Sequence, residues 1–187
     1  LFFTWTPDIR STGFASSVEI ENLDATCGHI TNQDLWISPD GEAWILYTQQ
    51  DVQNVLVRDR YFPDKSINNS LWLVRVKEGQ IIEKRVLLAE HPDRNVSQAK
   101  FHAAEGGAIY ILLHLTGADA GNKLIRLTPG GEENTLLSLP LETPLYWYCL
   151  ATVRAGNAPS NFIDVFGNDG RTNTYRYACI KINSPAN

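Results

Sequence analysis

Residues 33–50 read QDLWISPDGEAWILYTQQ, two apolar runs on either side of Ser38-Pro39-Asp40-Gly41. Proline fixes φ, and Asp-Gly accepts the positive φ that a tight reversal needs. Trp, Ile, Leu and Tyr suit a pleated, half-buried surface, so the stretch predicts a β-hairpin. The same outline returns twice. Residues 100–104 and 108–115 flank Glu105-Gly106-Gly107, and residues 146–153 precede a second apolar run at 162–166. Each pair leads into further strand-like runs: 71–76 and 81–88, then 122–127 and 134–139, then 174–182. In the last run Tyr175, Tyr177 and Cys179 alternate with Arg176, Ala178 and Ile180, the period of a strand. Two further strands are predicted at 1–6 and 16–22, and residues 51–69 read as a long surface loop, with no amphipathic helix of useful length anywhere.

Corresponding points in the three copies, Asp34, Lys100 and Cys149, lie 66 and 49 residues apart. Four-stranded propeller blades recur every ~40–50 residues, so the spacing predicts blades, one of them enlarged by the 51–69 loop. The expected fold is therefore all-β: a β-propeller segment of about three to four blades, built from four-stranded antiparallel meanders. A different all-β sandwich is the alternative. Residues 1–187 are read as a single partial propeller domain with blade-like repeats at 29–97, 98–145 and 146–182.

The 187 residues carry a net charge of −5, with 43% hydrophobic and 20% charged residues. That is ordinary for a globular chain. The acidic balance argues against a nucleic-acid partner, which would want a basic stripe. No run approaches the ~20 apolar residues of a membrane helix, and the opening LFFTWTP lacks the basic start of a signal peptide. The chain has no methionine and opens directly in a strand-like run. The expectation is a processed chain or a fragment, with the rest of the propeller outside it. Cys27, Cys149 and Cys179 include no C-x-x-C pair, so neither a metal nor another cofactor is expected. They read as buried free thiols, with one bridge plus one free thiol as the alternative.

Three stretches carry a family resemblance. They are residues 34–47, residues 100–110 and residues 151–160. Together they make the chain similar to the sialidase-like (BNR-repeat) β-propellers, especially uncharacterised bacterial secreted members. Ser38, Asp40, Gly41 and Trp44 match residues of that family's Asp-box, although one residue is missing between Asp and Gly and Ala43 stands where Thr is usual. In that family the box is a structural turn. The resemblance implies a carbohydrate-active protein in an extracellular or periplasmic setting.

In a propeller the polar residues near the inner strands face the central channel. Here these are His29, Asn32 and Asp34, then Lys100 and His102, then Thr152 and Arg154. Arg154 opens an irregular loop after a strand, and its planar fork matches a carboxylate. His102 is the expected proton-transfer group and Asp34 a further acid–base candidate. His29, Asn32, Lys100 and Tyr146 are the expected substrate contacts. Trp36, Trp44, Trp72 and Trp147 could stack on a sugar, although aromatics at strand period usually fill a core. His114 reads as structural, and Asp164, which could also serve as acid or base, reads as paired or on a solvated face within its apolar strand. Two functions remain open at this point. One is a glycoside hydrolase (sialidase-like) or polysaccharide lyase acting on an acidic glycan. The other is a non-catalytic propeller binding glycan or protein through its loops.

Overall fold

The computed structural model describes residues 1–127, 135–139, 141–152, 157–172 and 174–182. The chain is all-β, with four antiparallel sheets and no closed barrel among the described residues. Two compact units divide it, Leu1–Pro92 and Asp93–Asn187.

In the N-terminal unit, strands β1 (Phe2–Phe3) and β2 (Val18–Glu19) form a small pair. They are much shorter than the runs 1–6 and 16–22 suggest, because the intervening backbone bonds to turns: Thr12 N–H donates to Asp8 O and Ala15 N–H to Trp5 O. A meander follows of β3 (His29–Ile37), β4 (Ala43–Gln50), β5 (Asn69–Lys77) and β6 (Gln80–Leu88). The β3–β4 reversal is the expected one. Gly41 takes φ 83°, its N–H donates to Ser38 O at 3.0 Å, and Ser38 Oγ accepts from Glu42 N–H at 2.9 Å. Behind it Ile45, Tyr47, Val74 and Val76 pack with Ile20 into the unit's core. The loop between β4 and β5 contains a helix, α1 (Val55–Tyr61), where none was expected. Asn54 caps it by accepting from Val57 N–H at 3.1 Å, and Arg58 and Arg60 suit its C-terminal end. It has no buried residue, and Leu56 is 82% exposed, so no apolar stripe marked it in the sequence.

The C-terminal unit holds two sheets. The first runs in the order β10 (Leu136–Ser138), β9 (Gly121–Leu127), β8 (Ile109–Gly117), β7 (Arg94–Ala103). The second is β11 (Tyr146–Leu150), β12 (Phe162–Asn168), β13 (Tyr175–Lys181). Tyr110, Leu112, Leu124, Tyr148, Ile163 and Val165 form the core between them. Burying each such side chain contributes about 1.5–3 kcal/mol.

Each meander repeats one irregularity. The first strand carries an extra residue opposite its partner: Gln33 in β3, Ser97 in β7 and Trp147 in β11. A bulge of this kind bends the strand and re-aims the side chains beside it. The irregularity falls in the first strand of each meander.

One expectation about the thiols is overturned. Cys27, Cys149 and Cys179 are free, but all three are exposed. Cys149 and Cys179 lie on the outward face of the last sheet with Phe166 and Tyr177, opposite the face of Ala178 and Ile180 that meets the core. Cys27 follows a short 3-10 turn, Asp24–Thr26, in the left-handed region.

Gly117, at the end of β8, tests how tightly the first sheet is closed. It has φ 92°, and a Cβ there would fall 1.8 Å from Asp93 O. Gly117→Ala is expected to destabilise the protein by about 2–4 kcal/mol through combined strain and clash. Urea unfolding checks it, and a wild-type midpoint would contradict this account.

Candidate functional site

The residues named from sequence scatter into different local settings. His29 opens β3, is exposed, and shares a 3.0 Å hydrogen bond with Thr31 Oγ1. Asn32 is exposed just before the Gln33 bulge, and Asp34 is buried just after it. These three belong to the N-terminal unit. In the C-terminal unit Lys100 is half-buried on β7 opposite Leu112. His102 is buried, and its Nε2–H donates to Ser160 O at 2.7 Å. Burial pushes its pKa down, against the opposing pull of that bond and of Asp164, so the ring is neutral at pH 7. It serves to pin the loop before β12, which Ser160 N–H also ties to Ala103 O. Arg154 lies outside the described residues. Asp164 accepts from the Tyr177 hydroxyl, a bond that pushes the phenol's pKa up to about 12.

Tyr146 lines a sizeable cleft in its unit. The cleft has a volume of about 480 Å³ and is bounded by His114 and Thr116 of β8, Glu142, Thr143 and Pro144 of the approach to β11, Tyr146, and Asp169, Gly170 and Arg171 of the turn after β12. Its position follows from two buried carboxamides. Gln98 Nε2 donates to Tyr148 O at 2.6 Å, and Gln98 Oε1 accepts from Tyr148 N–H at 2.9 Å. Asn122 repeats the grip one step earlier, donating to Leu145 O at 3.0 Å and accepting from Leu145 N–H at 2.7 Å. Tyr148 adds a third anchor through its hydroxyl, which donates to Leu112 O at 2.7 Å.

The two residues between these grips have little choice of path. Trp147 sits at φ 50°, a left-handed conformation that costs a residue with a Cβ about 1–2 kcal/mol. Its side chain is 66% exposed. Tyr146 meets the His114 ring edge-on at 5.1 Å and the Trp147 ring at the same separation. The bulge therefore holds a strained, exposed tryptophan against a cleft-lining tyrosine. Strain of this kind persists only where the surroundings over-determine it, and it gathers at functional sites.

The polar wall divides into engaged and open groups. Asp169 is buried and accepts from Thr172 N–H at 2.6 Å, from the Thr172 hydroxyl, from Thr174 Oγ1 at 3.1 Å and from Arg176 Nε at 2.9 Å. The Thr172 bonds chiefly, then Arg176 and Thr174, hold its carboxyl well below the usual range against the opposing effect of burial. It is a structural anion that shapes the turn carrying Arg171. Glu142 and Arg171 are exposed and make no ion pair among the described residues. His114 is buried, with Nδ1 2.6 Å from Ser97 Oγ, and burial lowers its pKa.

His114, read from the sequence as structural, is buried and bonded to Ser97 and also lines the cleft. Gln98, Asn122, Glu142 and Arg171 were missed. Only Arg171 had a local signal, a cation directly after the Gly167-Asn168-Asp169-Gly170 turn. Among the described residues no three His, Cys, Asp or Glu side chains gather at a metal-binding spacing, and no helix is long and apolar enough to cross a membrane. No known protein family matches the chain, and no characterised protein is significantly similar to it.

Two outcomes test this construction. Gln98→Leu removes both side-chain bonds to the buried Tyr148 backbone, an expected loss of about 2–5 kcal/mol in urea unfolding. Asp169→Asn is expected to lower stability at pH 7. Because the folded pKa is depressed, the carboxylate's contribution is full above the unfolded value of about 3.9 and is lost as pH falls through the folded one. The gap between wild type and Asp169→Asn should therefore narrow below about pH 4. A gap that stays constant from pH 7 to pH 3 would show that ionised Asp169 is not what the turn relies on.

Proposed function

We propose that this chain is part of a glycan-binding β-propeller related to the sialidase-like family, and that the C-terminal cleft holds an acidic sugar. One observation carries the reading: Tyr146, whose ring meets the strained, exposed Trp147, lines a cleft whose wall includes an open Arg171. Aromatic faces pack against the apolar faces of sugar rings, and a guanidinium fork receives a carboxylate. The hydroxyls of Thr116 and Thr143 and the carboxylate of Glu142 supply partners for sugar hydroxyls. Consecutive meanders with a bulge at the matched place in each first strand support reading the sheets as blades. An extracellular or periplasmic setting fits a glycan ligand.

The cleft favours binding over paired-carboxylate hydrolysis. Glycosidases normally need two carboxyl groups with separate roles. Asp169 is fully engaged, which leaves Glu142 alone among the described cleft residues.

Trp147→Gly is the informative variant, because glycine relieves the left-handed strain while removing the ring. Calorimetric titration with neutral and carboxylated oligosaccharides is expected to show binding weakened about tenfold, consistent with one lost aromatic contact. Thermal stability should be unchanged or higher. Wild-type affinity in both Trp147→Gly and Tyr146→Ala would place the ligand elsewhere.

A further inference from the structure

We infer that the cleft cleaves the acidic glycan it holds by β-elimination, with His114 as the base. The inference rests on the glycan reading above and deepens it from binding to a reaction.

The geometry starts behind the cleft. Ser97 is the extra residue of the β7 bulge, and its Oγ lies 2.6 Å from His114 Nδ1 and 3.1 Å from His114 O. The hydroxyl has a single proton. When that proton serves the carbonyl, Oγ accepts Nδ1–H, and the lone pair of the neutral ring sits on Nε2. In that arrangement the bulge does for His114 what an orienting partner does for a catalytic imidazole: it holds the ring and leaves Nε2 as the basic nitrogen. Burial keeps the ring uncharged at pH 7. The charged and titratable groups that share the wall are Tyr146, Glu142, Asp169 and Arg171, and Asp169 is neutralised by its own partners.

The chemistry needs three groups, and the wall supplies all three. Arg171 neutralises the uronate carboxylate, which acidifies the proton on the adjacent ring carbon C5. His114 Nε2 removes that proton. The C5–H electron pair becomes the C4=C5 double bond, the C4–O4 bond breaks, and its pair leaves with the glycosidic oxygen. That oxygen takes a proton from the Tyr146 phenol, whose ring lies 5.1 Å from the His114 ring. The phenolate is then reprotonated and the imidazolium loses its proton to solvent. No water is consumed and no redox partner is required, so the step balances with the residues present. Hydrolysis of the same bond would instead need the second free carboxyl that the described wall lacks.

The test uses the full chain with polygalacturonate and alginate, following the ultraviolet absorbance of the unsaturated product while calorimetry follows binding. Wild type is expected to release unsaturated ends. His114→Gln should lower that rate at least about a hundredfold with binding retained. Ser97→Ala, a milder change to a positioning residue, should reduce kcat with KM little altered and shift the acidic limb of the pH–rate profile. Binding without unsaturated product, or new reducing ends without it, overturns the inference and leaves the glycan reading standing. Unsaturated product formed equally well by His114→Gln also overturns it. Absence of binding to every acidic glycan overturns both.

Discussion

Two buried amide side chains gripping one short piece of backbone underlie everything proposed for the C-terminal unit. Gln98 and Asn122 each exchange a donor and an acceptor with the main chain, at Tyr148 and Leu145 respectively. A carboxamide matches a peptide group in this way because it carries one carbonyl and one NH₂ in a plane. Buried backbone groups must find partners, and here the partners come from side chains of the neighbouring sheet. The grip is costly to break, since four polar groups would lose their partners at once. That stability is what permits the strained conformation at Trp147.

The site follows from the same constraint. With Leu145 and Tyr148 fixed, the extra residue between them has to bulge, and the bulge turns Trp147 outward and Tyr146 onto His114. On the facing side the Asp169 turn is held by hydroxyls and Arg176, which leaves Arg171 directed by a rigid anion-centred loop. The Ser97 bulge orients His114 from behind. Two of the three bulges therefore act on residues of one cleft: one sets Tyr146 in its wall, and the other holds the His114 imidazole from behind.

Much of the architecture was legible because it is local. The 33–50 hairpin declares itself through Pro39, Asp40 and Gly41, and the alternation of Tyr175 to Ile180 is a strand whatever surrounds it. The direction of that strand was harder to read. Its aromatic and thiol side faces outward and its small aliphatic side meets the core, so Cys149 and Cys179 are exposed where burial was expected. The 55–61 helix has a cap but no apolar stripe, and periodicity had nothing to detect. The site was mostly illegible, because its determinants act at a distance. Gln98 finds its partner 50 residues away, and nothing in the local sequence announces a left-handed Trp147. His102 and His114 look alike as histidines in apolar strands. What separates them is tertiary: one donates to a loop carbonyl and pins it, and the other faces a cleft.

The claim that the cleft lined by Tyr146 and Arg171 is the ligand site is tested most directly by a two-dimensional NMR titration with trigalacturonate at pH 7. Progressive shifts are expected for the Trp147 indole N–H, the Arg171 side-chain N–H and the Tyr146 and Gly170 amides, with the indoles of Trp36, Trp44 and Trp72 unmoved. Saturable shifts confined to the N-terminal unit, with the Trp147 and Arg171 signals unchanged, would contradict it.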